Sequence, residues 1–125
     1  MRIYAYVDQG IGPTVVDSKL EQEINLLHQR ICSGFSDPKR VLILYALADC
    51  TLCVGELAEL LDVSQSTTSR HLGILRDRGL VAAERRGTSI YYSLTDRRII
   101  EALDLLRDVL ASRLAAEANL TQSPS

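Results

Sequence analysis

The chain has 125 residues, 46% of them hydrophobic and 24% charged, with a formal net charge of −2. That length supports one modest core, and the composition is that of a globular protein rather than a fibrous or disordered one. No apolar run is long enough to cross a bilayer and the start, Met1-Arg-Ile-Tyr-Ala-Tyr6, lacks the apolar stretch of a secretion signal, so a cytoplasmic protein is expected.

Residues 1–17 read as a flexible arm. Ile3, Ala5 and Val7 alternate as a short strand would, but Gly10-Ile-Gly-Pro13 ends any longer run. Ser18 and Glu21 have the spacing of a capping box and predict a helix to about Ser33, with Ile24, Leu27 and Ile31 on one stripe and Gly34 as its stop. Asp37-Pro38 opens the next helix, as an N-cap followed by a proline whose missing N–H costs nothing there. Val41, Leu42, Leu44, Tyr45 and Leu47 make it apolar nearly all round, as a central buried helix is.

The stretch 54–94 carries the most information. It predicts a short helix, Val54–Leu61, with Leu57, Leu60 and Leu61 inward, then a turn at Asp62-Val63. A second helix capped by Ser64 points Thr68, Leu72 and Leu75 inward and Ser66, Ser69, Arg70 and Gly73 outward. Ser and Thr are poorer helix formers than the Glu and Lys of ordinary surface helices. Small hydroxyls on an exposed face instead let a helix sit deep in a major groove. Gly79 ends it, and strands at 81–85 and Ser89–Leu94 flank Arg86-Gly87-Thr88 as a hairpin wing. Between Ser64 and Ser89 five arginines against two carboxylates leave a local charge of +3, enough for phosphate contact on an acidic chain.

A last helix of about twenty residues follows Thr95 or Asp96, with Ile99, Leu103, Leu106, Leu110 and Leu114 as a seam widened by Ile100, Leu105 and Val109. One small domain cannot cover both this face and that of the first helix, so a symmetric homodimer through the first and last helices is expected. The fold class is mainly α with a small β-hairpin, a winged helix-turn-helix over residues 18–118, with 119–125 as a tail.

At this point 54–81 resembles the arsenic-repressor (ArsR/SmtB) family of bacterial transcriptional regulators. The likeness extends over about residues 20–115, through Asp37-Pro38-Lys-Arg40, Ser69-Arg-His-Leu72 and the Gly87…Tyr91-Tyr92-Ser-Leu94 wing. It implies a dimeric repressor, not an enzyme, that leaves its operator when an inducer binds. The expected DNA interface is Ser64, Gln65, Ser66, Thr67, Ser69, Arg70 and His71 from the helix and Arg85, Arg86 and Thr88 from the wing. His71 reads either as a phosphate contact or as a structural residue. The operator expected of a dyad dimer is an imperfect inverted repeat of double-stranded DNA, read in successive major grooves roughly 34–36 Å apart.

The family's thiol site has the pattern Leu-Cys-Val-Cys-Asp-Leu, and the matching stretch here is Leu52-Cys53-Val-Gly55-Glu-Leu57, with Cys50 added just before. Its site on the last helix uses an Asp and histidines. Asp96 is kept, but Arg98 stands two residues on and no histidine follows His71, so a histidine-rich zinc or nickel site is not expected. Cys50 and Cys53 are the candidate ligands, with Cys32 a weaker third. Soft thiolates select arsenite or antimonite first, then cadmium, lead or cuprous copper, whereas zinc usually takes four ligands. The alternatives are a thiol switch answering oxidants or reactive sulfur, and a winged-helix regulator with no cysteine sensing. A dithiol oxidoreductase would need its CxxC in a βαβ setting, and no strand is expected before Cys50.

Overall fold

The computed structural model describes residues 16–122, with side chains to 120. The expected N-terminal arm lies outside them except for Val16 and Asp17, as does the end of the tail. The tail begins later than expected, because the last helix continues to Gln122.

Helix α1 spans Ser18–Arg30. Its cap is Asp17 rather than Ser18: the Asp17 carboxylate accepts from the Leu20 amide at 2.8 Å, a charge-assisted bond one residue upstream of the expected box. The helix also ends short of Ser33, whose hydroxyl turns back to donate to the Gln29 carbonyl, and the chain tightens into a 3₁₀ turn, Cys32–Phe35. Gly34 lets that turn pack closely, because a Cβ there would lie 2.8 Å from Leu80 Cδ1 and force the buried leucine to shift. Helix α2 is Pro38–Ala46, capped by Asp37. It is less enclosed than expected: Ile43, Leu44 and Leu47 are buried, but Leu42 is 47% exposed.

Strand β1, Leu52–Cys53, leads into α3, Val54–Leu61. Leu57 is buried as expected, but Leu60, expected inward, is 63% exposed, because the buried stripe of this short helix runs through Leu57 and Ala58 instead. Asp62 then adopts φ 55°, ψ 50°, and the Val63 amide returns to the Ala58 carbonyl, closing the turn between helices. Helix α4 is Gln65–Asp77, capped by the Ser64 hydroxyl. Gly79 at φ 75° turns the chain into β2, Val81–Arg86, which pairs antiparallel with β3, Ser89–Leu94. The two-residue link Gly87-Thr88 has positive φ at Gly87, which suits the strands' twist. The sheet has three strands in the order β1-β3-β2, so β3 rather than an exposed edge lies at its centre. Asp96 caps α5, Arg98–Gln122, through the Arg98 amide.

The core gathers Ile43, Leu44, Leu47, Leu57, Leu72, Leu75, Leu80, Val81, Tyr92, Ile100 and Leu103. Helix α5 is pinned to it by the Tyr45 hydroxyl, which donates to Asp104 at 2.6 Å while Arg107 lies over the Tyr45 ring at 5.2 Å. Arg97, just before α5, donates to the Ala48 carbonyl and pairs with Asp49. No helix among the described residues is long and apolar enough to cross a membrane.

Candidate nucleic-acid interface

Helix α4 presents two unlike faces. Thr68, His71, Leu72 and Leu75 are buried against α2, α3 and the sheet, while Gln65, Ser66, Ser69, Arg70 and Gly73 are exposed. Ser64 and Thr67 are partly committed to the cap, with the Ser64 and Ser66 hydroxyls 3.3 Å apart. Arg70 makes no hydrogen bond or ion pair with another described residue, so its guanidinium is available to a ligand.

The wing's two arginines differ. Alternation along β2 puts Arg85 on the face it shares with Ile90 and Tyr92, and Arg86 on the opposite face with Ser89. Arg86 donates from Nε and NH2 to one Glu84 oxygen at 3.1 and 3.0 Å, and its guanidinium lies 5.0 Å from the centre of the Tyr91 ring. Sequence reading missed Glu84 and Tyr91 as neighbours of that charge, although their odd-numbered and even-numbered spacing on paired strands carries the signal. Between α4 and the wing runs a cleft of about 450 Å³, lined by Gln65, Ser69, Thr88, Ser89 and Ile90. Hydroxyls and an amide over an apolar floor are suited to a sugar-phosphate strand passing from one groove to the next.

His71 departs from the expected DNA-contact set. It falls three residues after Thr68 on the inward stripe, is 4% exposed, and faces Arg40 and Asp37 instead of solvent. Burial pushes its imidazole below the ordinary histidine range; Asp37 opposes that shift, and Arg40 and Arg70 add to it.

The three thiols sit at different places. Cys32 is exposed in the 3₁₀ turn. Cys50 is exposed in the α2–β1 link, its thiol 3.6 Å from the Ala46 carbonyl. Cys53 is half-buried, precedes α3 as its N-cap, and has its amide bonded to Glu56 at 3.0 Å. In the sheet Cys53 is the register partner of Tyr91, the ring beneath Arg86. Among the described residues no three or more Cys, His, Asp or Glu side chains gather as an ion site, so Cys32 does not join the other two within a protomer.

These features define a winged helix-turn-helix DNA-binding protein. The family model for bacterial regulatory proteins of the arsR family matches residues 37–83. A biofilm growth-associated repressor from Agrobacterium fabrum is 34% identical over 100 residues, 78% of this chain and 82% of that protein. A transcriptional repressor SmtB homolog from Synechocystis is 42% identical over 77 residues, 62% of this chain but only 56% of its own length. In structure, the homodimeric winged helix-turn-helix DNA-binding domain Mb0332 from Mycobacterium bovis, a possible ArsR-family regulator, superimposes with a TM-score of 0.67 at 24% identity, over 81% of this chain and 93% of that domain. The chain belongs to the ArsR family, whose members are DNA-binding transcriptional regulators rather than enzymes.

Proposed function

We propose that this protein is a homodimeric repressor that grips an imperfect inverted repeat through α4 and the wing, and releases it when a thiophilic ion, trivalent arsenic or antimony first, engages Cys50 and Cys53. The observation that carries the DNA half is the exposed Ser66-Ser69-Arg70-Gly73 stripe, bordered by the cleft to the wing. Arg70 reads base edges or positions the helix, Gln65 and the hydroxyls of Ser64, Ser66, Thr67, Ser69 and Thr88 meet bases and phosphates, and Arg85 and Arg86 meet the flanking backbone.

Cys53 supports the induction half. Its backbone starts the first helix of the DNA unit and pairs with Tyr91 of the wing, so a bond to its sulfur acts on both parts that touch DNA. Two local thiols do not fill zinc's usual four-ligand shell, but they suit a soft ion of low coordination number whose remaining place is taken by the partner subunit or solvent. Such an ion supplies a bond to each thiolate, with release of the thiol protons. The accessibility of Cys50 favours one rival, a Cys50–Cys53 disulfide, in which an oxidant takes two electrons and both thiol protons leave.

Fluorescence anisotropy of a labelled promoter fragment, with reduced protein titrated by arsenite, antimonite, cadmium and zinc and then by peroxide or polysulfide, tests the reading. Release by a soft ion, lost in the Cys50→Ser/Cys53→Ser variant, is the expected result. Release by oxidants alone, reversed by dithiothreitol, would establish the thiol switch, and indifference to all of them would remove cysteine sensing.

A further inference from the structure

Beneath the DNA-facing side of α4 lies a polar cluster that the proposed contacts do not use. Arg40, 8% exposed, donates from Nε to the Gly34 carbonyl at 2.9 Å, from NH2 to the Ser36 hydroxyl at 2.8 Å, and from NH1 to His71 Nδ1 at 3.2 Å. Immediately after α4, its C-cap Arg78 donates from Nε to the Ser33 hydroxyl at 2.6 Å. Both arginines therefore tie α4 to the 3₁₀ turn that ends α1. The turn packs closely on the α4–β2 corner, where a Cβ at Gly34 would come within 2.8 Å of Leu80 Cδ1.

The chemistry of these bonds fixes a protonation state. A guanidinium has only donors, so His71 Nδ1 must accept, and the imidazole is neutral with its proton on Nε2. Nε2 faces Asp37 Oδ2 at 3.8 Å, close enough for attraction but long for a hydrogen bond.

We infer that Arg40, His71 and Arg78 are positioning residues for DNA binding, a latch that fixes α4 against the turn from α1, and that protonation of His71 opens it. The inference rests on α4 being the helix that reads DNA. A doubly protonated imidazole would turn an N–H toward the N–H of Arg40 and place two positive groups together in a buried site. The charged groups facing His71 are Asp37 and Arg40 at the start of α2 and Arg70 on its own helix. Asp37 favours the charged ring; Arg40, Arg70 and burial disfavour it. The latch is therefore closed at neutral pH and opens on acidification, loosening α4 without altering any residue that touches DNA.

The experiment compares wild type with His71→Asn, whose amide oxygen can replace Nδ1 as acceptor but does not titrate. Promoter affinity is measured from about pH 8 to about pH 5.5 at fixed salt, with sedimentation to follow the dimer at each pH. Wild type should lose affinity by up to about a hundredfold per pH unit once His71 titrates, the limit for the two linked protons of a dimer, while staying dimeric. His71→Asn should show no such loss. Nitrogen-detected NMR of the wild-type ring should give the Nε2–H tautomer at neutral pH, a test that does not depend on a variant folding. Equal pH profiles for the two proteins, or an Nδ1–H tautomer, would overturn the latch alone. Arg70→Ala binding the promoter as tightly as its parent at pH 8 would overturn the assignment of α4 and the latch with it.

Discussion

The DNA-reading half and the flanking helices are built differently. In the first, α3, α4 and the sheet close over Leu57, Leu72, Leu75, Leu80, Val81 and Tyr92, none more than 8% exposed. In the second, α1 buries no residue at all, and Ile24, Leu26 and Leu27 remain 44–50% exposed. Helix α5 divides between the two modes: Ile100 and Leu103 are buried, but beyond them Leu105, Leu106, Leu110 and Leu114 are more than half exposed. The reading half is thus complete within one chain, while the flanks have the apolar face of an interior that lacks its other side. A second copy of the chain supplies that side under the proposed dimer.

The largest effect should come from the flanks. Leu27→Glu with Leu110→Glu should split the dimer and, by uncoupling two half-site contacts, weaken operator binding by about 100-fold or more. Sedimentation equilibrium beside anisotropy checks it, and a charged variant that stays dimeric would break the contrast between the halves. Next comes the core of the reading half. Leu72→Ala, at a fully buried position, should cost about 2–5 kcal/mol in urea unfolding.

Within the DNA-facing surface the effects should grade again. Arg70→Ala should cost about 1–3 kcal/mol on the operator and less on unrelated DNA. Arg86→Ala, which removes one phosphate contact from each wing of the dimer, should weaken both sequences alike and lower the salt slope by about two. Glu84→Gln should do the reverse, by freeing Arg86. Because the Glu84–Arg86 pair is more than half exposed and such pairs are worth about 0–1 kcal/mol, the gain is at most a few-fold.

The smallest effect is on stability with pH. Since the folded protein holds His71 below its unfolded value, near 6.5, the neutral ring contributes its full stability above that pH. The contribution is lost as pH falls through the folded value, so Tm should drop on acidification in wild type and not in His71→Asn. Asp96, held down to about 2 mainly by its hydrogen bonds with Arg98, keeps its charge through this window and cannot produce the change.

Much of the architecture is legible in the chain because long periodic segments carry their own signal. Val54–Leu61 and the inward Thr68, Leu72 and Leu75 of α4 are found from spacing alone, and Ser64 and Gly79 mark that helix's limits as capping chemistry requires. What spacing cannot give is short or paired. Strand β1 has two residues, too few for any period, and exists because Leu52 and Cys53 find partners some forty positions away in Tyr92 and Tyr91. A charged residue such as Arg40 reads as solvated until the Gly34 carbonyl, Ser36 and His71 are known to surround it. His71 itself was legible: three after Thr68 and one before Leu72, it lies on the buried stripe, and only its polarity argues for the surface.

Asp62 has a consequence for anyone who maps this regulator by saturation mutagenesis. Its side chain is exposed and sits in the turn ahead of the reading helix, yet its backbone holds the left-handed conformation that sets the angle between α3 and α4. Gly and Asn adopt that conformation readily, whereas β-branched residues resist it. A functional screen would therefore score position 62 as intolerant to Val or Ile and permissive to Gly or Asn. That pattern has the profile of a hinge, and separates it from positions proposed to read bases, such as Arg70, where glycine should fail along with everything else.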